Sequence, residues 1–236
     1  MLAGTTGTIT RYYKYGNSPN LILFGGINVE NGILPTLTAW SQYTWLPCSL
    51  DVRQGSWLVH LKVHTGTDVT TSQYLTSSAW TNYGSIEPWI YNGKWRLYLL
   101  NIADLQSTTT VLADTDYWVE AAFDGINTYT MSISTDGSNY ETILTHSSTT
   151  KAYYYYPQRF IIGCDFVNVE NGSVGYCQPF LGTIDLKDCY IKQNDIEVWH
   201  GTHLEECDAT DNWVVSKEFP VYQGIRTYNR GEHYGN

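Results

Sequence analysis

The sequence predicts an all-β fold, an antiparallel β-sandwich of the jelly-roll kind, on three observations. Apolar residues recur with period two along most of the chain, and the period of a helix is nearly absent. Turn signals such as Asn-Gly and Asp-Gly break the pattern at intervals of about 8–12 residues, the spacing of sandwiches and barrels. Charged residues make up only 15% of the 236 residues, equal to the aromatic share, with 20 Tyr and 9 Trp. An average soluble domain carries about 25% charge, so Thr, Ser, Asn, Gln and Tyr hydroxyls must build this surface. That length suffices for one large β domain with a substantial core.

The elements follow in chain order. In Trp57–His64, Trp57, Val59, Leu61 and Val63 face one way and His60, Lys62 and His64 the other, a strand with a dry and a wet side. Trp89–Leu99 is two strands around Asn92-Gly93, the strongest short hairpin signal. Asn101–Leu105 is the best helical candidate, little more than one turn long. Tyr117–Phe123 places Val119, Ala121 and Phe123 on one face and ends at Asp124-Gly125. A strand with Tyr129, Met131 and Ile133 on one side follows, and Asp136-Gly137 turns it into Tyr140–Leu144. Phe160–Cys164 reads as a buried central strand. Phe180–Leu186 and Cys189–Lys192 form a long strand with a bulge near Lys187-Asp188, and Gln193–Asp195 turns it into Ile196–Trp199. No Pro/Gly-rich linker divides the chain, so residues 1–201 are expected to form one sandwich, followed by an extension or arm over 202–236. The pentapeptide Asn-Val-Glu-Asn-Gly occurs at Asn28–Gly32 and Asn168–Gly172. Two similar Asn-Gly turns account for it, and the alternative is two loops lining one rim.

A net charge of −10 argues against nucleic acid, whose phosphates are bound by clustered Lys and Arg. No apolar run approaches the ~18 residues of a membrane helix. Met1–Thr6 lacks the basic and apolar regions of a secretory leader, so none is expected. Five cysteines (48, 164, 177, 189 and 207) with no Cys-x-x-Cys pair read as thiols in a reducing compartment, with Cys164 and Cys189 as small core residues. A Cys164–Cys177 bridge after release from the cell stays open.

From Trp118 to Ile143 the chain runs Trp, strand, Phe-Asp-Gly, strand, Ser-Thr-Asp-Gly, strand; Phe160–Gly163 and Pro179–Leu186 follow in order. This arrangement, over about residues 55 to 201, resembles the laminin G-like modules of the concanavalin A-like lectin/glucanase superfamily. The stretch Phe180–Lys192 followed by Trp199-His200-Gly201 is similar to the ending of lectin-like modules in bacteriophage virion proteins. That resemblance implies a structural or adhesion protein of a virion, made in the host cytoplasm.

Glycoside hydrolysis needs two carboxylates about 5–5.5 or 6.5–9.5 Å apart. The Glu-x-Asp-x-x-Glu strand of glucanases on this fold is missing from the sequence. Glu205–Asp208 lies beyond the last recognisable sandwich strand, and Asp185 and Asp188 would fall on opposite faces of an unbroken strand. His60 and His64 would sit about 13 Å apart, too far to share a metal, and read as solvent-facing. Asp68, Asp124 and Asp136 are the loop acids that calcium would use, but turn geometry explains the two that precede glycine. No Gly-x-Ser-x-Gly elbow occurs. Neither a catalytic residue, a metal nor a cofactor is expected.

Binding is better supported. Trp80, Asn82 and Tyr83, in a loop without alternation, and Trp89 and Tyr91, leading out of it on one strand face, are candidate glycan contacts. The competing role for Trp80 and Trp89 is to cap the core. Tyr12, Tyr13 and Tyr15, near Arg11 and Lys14, and Tyr153, Tyr154, Tyr155 and Tyr156 are candidate protein-interface anchors. The expectation is a non-enzymatic bacteriophage virion protein that docks on other virion proteins and further copies of itself and attaches to a cell-surface carbohydrate. A hydrolase on the same fold and a purely structural subunit are the alternatives.

Overall fold

The computed structural model describes residues 9–14, 21–24, 27–38, 42–46, 50, 52, 55–79, 86–151, 159–165, 178–201 and 205–208. The fold is an antiparallel β-sandwich with a concanavalin A-like, jelly-roll architecture. Its strands are β1 (Ile9–Lys14), β2 (Leu21–Phe24), β3 (Ile33–Leu34), β4 (Tyr43–Trp45), β5 (Trp57–His64) and β6 (Gln73–Tyr74). Then come β7 (Thr76–Ala79), β8 (Ile86–Tyr91), β9 (Lys94–Leu99), β10 (Ala103–Thr110), β11 (Asp116–Phe123) and β12 (Thr128–Ser134). The last six are β13 (Glu141–Ser147), β14 (Arg159–Ile162), β15 (Thr183–Asp185), β16 (Tyr190–Gln193), β17 (Ile196–His200) and β18 (Glu205–Asp208).

The large sheet runs β13-β12-β11-β5-β15-β3, with β16 pairing β5 and β17 pairing β16. The small sheet runs β10-β9-β8-β6. A third ladder joins β18-β1-β2-β4, and β14 pairs with β7. Alternation does the sorting: Trp57, Val59, Leu61 and Val63 of β5 are buried at 2% exposure or less, as are Tyr117, Val119, Ala121 and Phe123 of β11. These meet Trp95, Leu97 and Leu99 of β9 in one contiguous core. The Trp95 and Tyr117 rings touch edge to face across the layers at 5.0 Å, a favoured aromatic geometry. The Tyr117 hydroxyl accepts from the Leu112 N–H, so this inward ring keeps a partner for its polar end.

The strand β5 is the organising element. On one side it pairs with β11 along its whole length, from His64 opposite Asp116 to Trp57 opposite Phe123. On the other it is shared: β15 covers Val63–His64 and β16 covers Trp57–His60. Between them the chain leaves the ladder in a 3-10 turn, Leu186–Asp188, capped by Asp185, whose carboxylate accepts from the Lys187 N–H. The expected long strand with a bulge is thus two short strands hinged on this turn.

Three readings are corrected. Asn101–Leu105 is not helical: Asn101 takes a left-handed φ of 59° in a turn, and Ala103 onward pairs with β9 as β10. Phe160–Cys164 is buried but not central, because among the described residues β14 has a strand ladder on one side alone, with the short β7, and on the other meets Leu46 through a single bridge. His60 is not solvent-facing; it lies on the outer side of β5 yet is only 6% exposed. The expected Asn-Gly hairpin forms, with Asn92 and Gly93 at φ 51° and 67°, as a two-residue turn of that type demands. Glu205–Asp208 pairs with β1 as β18.

Candidate recognition faces

The two-residue turn at Asn92-Gly93 fixes the hairpin register and places Arg96 directly opposite Trp89. Both point away from the core, and Trp89, though only 8% exposed, stands apart from the core cluster. Tyr74, opposite Trp89 on β6, stacks on its ring at 5.0 Å with the planes 2° apart. The Arg96 guanidinium lies over the same indole at 4.4 Å, and Arg96 Nη2 donates to Asp104 at 2.6 Å. Tyr91 continues the row at 5.8 Å from Trp89 and is 37% exposed. Burial, and secondarily the charge of Asp165, pushes the Tyr74 phenol well above its ordinary range, so it stays a neutral donor. The capping role in the core considered for Trp89 does not hold, because its indole packs on the outer side.

The outer face of the large sheet carries a second row. His60 stacks on Tyr190 at 4.3 Å with the planes 6° apart, and Tyr190 stacks on His200 at 5.6 Å. His60 Nδ1 lies 3.1 Å from Glu120 Oε1, and Tyr140 tilts against the same imidazole. Beside this row, Lys62 Nζ donates to Asp188 at 2.9 Å and to Asp185 at 3.2 Å, and lies 5.3 Å from the Trp118 ring. The two acids therefore meet on one face: opposite faces would need an unbroken strand, and the 3-10 turn that breaks it brings Asp188 round to Asp185's side. Burial raises the Tyr140 phenol to about 12 and moves Tyr190 the same way.

Cross-strand rings on both faces stand side by side and cover one another's flat surfaces. Trp89 and His60, at the centre of the two rows, are buried, and Tyr91 is the exposed ring at the end of the first. Such rows are rigid and lightly charged, since each cation among Lys62 and Arg96 has its carboxylate.

The three loop acids serve their own loops. Asp124 Oδ1 accepts from the N–H groups of Ile126, Asn127 and Thr128, holding its carboxyl near about 2. Asp136 accepts from Ser138 and Asn139, and Asp68 from Thr70 and Thr71; both carboxyls lie well below their usual range because of those bonds. Among the described residues no group of three or more His, Cys, Asp or Glu side chains could hold a metal ion.

Of the candidate glycan contacts, Trp89 and Tyr91 share one outer face as alternation required, while Trp80, Asn82 and Tyr83 lie outside the described residues. Tyr12 and Tyr13 sit on β1, of which only the backbone is described; Tyr15 and Tyr153–Tyr156 lie outside. The second pentapeptide at Asn168–Gly172 also lies outside, and the first forms the turn into β3, with Asn31 and Gly32 at φ 54° and 82°. Sequence reasoning missed Tyr74, Arg96, His60, Glu120, Tyr140 and Tyr190. Arg96 was within reach, because a two-residue hairpin sets its register. Tyr190 was not, because only the 3-10 turn places it opposite His60.

No protein-family model matches the chain, and no curated protein matches it. Solved structures do. The binding domain of botulinum neurotoxin DC in complex with rat synaptotagmin II superposes with a TM-score of 0.53 at 9% identity, covering 81% of this chain and 49% of that one. The same toxin's binding domain in complex with SialylT gives 0.53 at 7% identity, covering 81% and 49%. A mutant of HCR/D gives 0.54 at 12% identity, covering 81% and 48%. The chain thus spans about half the length of these structures. At such identities the likeness is one of architecture: this chain shares the concanavalin A-like β-sandwich with them.

Proposed function

We propose that the chain is a non-enzymatic structural and recognition subunit of a bacteriophage particle, docking on other virion proteins and on its own copies and contributing to attachment at a host-surface glycan. One observation carries the reading. Both outer sheet faces carry stacked rows of aromatic rings, beside which Lys62 is paired with Asp185 and Asp188, Arg96 is paired with Asp104, and Lys192 lies over the Tyr190 ring. A surface of this kind is pre-ordered and weakly hydrated, so a partner that covers it freezes few side chains and strips little water from isolated charges. The likeness of the Phe180–Gly201 ending to phage lectin-like modules supplies the particle, and the architecture shared with a toxin binding domain, seen in complex with synaptotagmin II and with SialylT, agrees with a recognition role.

Among the described residues, Asp185 and Asp188 are acids on one face that the hydrolase alternative could draw on, and both accept from Lys62. A lysine ammonium occupies the space between them, where a glycosidic oxygen would have to lie.

Mass spectrometry of gradient-purified phage from a host carrying the gene tests the proposal. A fixed copy number per particle is expected. Its absence from particles, or turnover of polysaccharide by the purified chain that is lost in Asp185→Asn, would refute it.

A further inference from the structure

We infer that the groove beside β3 is a binding site for a neutral saccharide. This inference deepens the attachment half of the proposed function and rests on it. The groove has a volume of about 550 Å³, inside the range of small-ligand pockets. Its floor is aliphatic: Ile27 and Leu37 are 2% and 3% exposed, and Pro35 and Ile33 extend that surface up one wall. Around this floor stand Asn28, Glu30, Asn31 and Thr183.

The polar groups are held in place. Asn28 Nδ2 donates to Glu30 Oε1 at 2.7 Å, which ties the amide to the carboxylate. The Ile33 N–H donates to the Glu30 carbonyl at 2.9 Å and closes the turn that carries Asn31. On the far side, Gln42 Oε1 accepts from the Thr38 N–H at 2.7 Å, so its side-chain amide is held as well. Thr36 is tied to the Gly182 carbonyl at 2.8 Å, which anchors that wall to the large sheet. Fixed amides and a carboxylate over an aliphatic floor match a pyranose. Vicinal hydroxyls take paired bonds from planar groups, and the C–H side of the ring rests on the apolar surface.

Charge selects among sugars. Among the described residues lining the groove Glu30 is the one titratable side chain, and Lys187, whose stem lies over Gly32, is not part of that lining. An acidic sugar would bring its carboxylate against Glu30 with no lining cation to offset it. An extended peptide is disfavoured, because β3 is only two residues long and the Ile33 N–H is spent in the turn.

The test is a ¹H–¹⁵N titration of the full chain with methyl α-mannopyranoside, methyl β-galactopyranoside, N-acetylglucosamine and glucuronic acid. At least one neutral sugar should shift the amide signals of Asn28, Asn31 and Thr183, and glucuronic acid should not. Glu30→Gln and Asn31→Gly, the latter compatible with the left-handed φ of 54° at that site, should each weaken binding about tenfold while leaving the remaining spectrum in place. No shift with any neutral sugar, shifts centred on Trp89 and Tyr91, or equal response to glucuronic acid would overturn the inference. The particle reading fails separately, by absence of the chain from phage.

Discussion

Replacing Lys62 with methionine removes the ammonium, which lies 5.3 Å from the Trp118 ring, while keeping most of the aliphatic stem. Two bonds are lost, at 2.9 Å to Asp188 and 3.2 Å to Asp185. Buried bonds to charged groups contribute about 1.5–3 kcal/mol each. Here the side chains of Lys62, Asp185 and Asp188 are 26%, 23% and 49% exposed, so solvent screening brings each down to about 0.5–1 kcal/mol. The expected loss is about 1–2 kcal/mol, or a fall in Tm of about 2–8 °C for a chain of this size. The hydrogen bond that Lys62 donates to Asp188 is the main cause that raises the Lys62 pKa above its ordinary 10.5. The stabilisation is therefore complete below 10.5 and fades only as the pH climbs through the higher folded value. The assay is urea unfolding followed by Trp fluorescence, on a cycle of Lys62→Met, Asp188→Asn and the double variant. A coupling of about 0.5–1 kcal/mol at low salt is expected, smaller in 0.5 M NaCl by screening at roughly a 4–5 Å Debye length. Coupling indistinguishable from zero at low salt would refute the clamp.

The other predictions concern the core, the loops and one thiol. Gly182→Ala drives its Cβ into the His64 carbonyl and to 2.7 Å from the Phe180 ring; a loss of about 1–3 kcal/mol and faster amide exchange at Ile184 are expected. Trp199, wholly buried, should cost about 3–5 kcal/mol as Trp199→Ala in the same unfolding assay. Burial pushes the Cys189 thiol up to about 12, so iodoacetamide at pH 8 should label it in urea but not in the native chain. The depressed carboxyls of Asp68, Asp124 and Asp136 stabilise their loops above about pH 4, and this is lost as the pH falls through their lowered folded values, about 2 for Asp124. Asp124→Asn should flatten that part of the acid limb, measured as amide exchange at Ile126–Thr128.

The layers were legible because alternation is a local signal. Trp57–His64 and Tyr117–Phe123 sort their own side chains with no knowledge of their neighbours. The hairpin at Asn92-Gly93 was equally legible, since two left-handed residues suit only a tight reversal. What stayed hidden depends on distant pairing. The burial of His60 comes from Tyr190 and Tyr140, more than a hundred and about eighty residues away in the chain. Asp185 and Asp188 share a face only because the strand breaks between them, and nothing in the spacing distinguishes a bulge from a 3-10 turn. The groove was hidden for the same reason: Thr183 joins Asn28 and Glu30 only once β15 has paired with β3.

The divided edge of β5 has a consequence for synthesis. Residues 57–64 leave the ribosome early, and residues 116–123 can cover one side soon after. The opposite side waits for residues 183–193, so for about 120 residues of elongation the nascent chain carries an unpaired strand edge. Truncated products ending before Thr183 should therefore be captured by holdase chaperones, and the finished chain released.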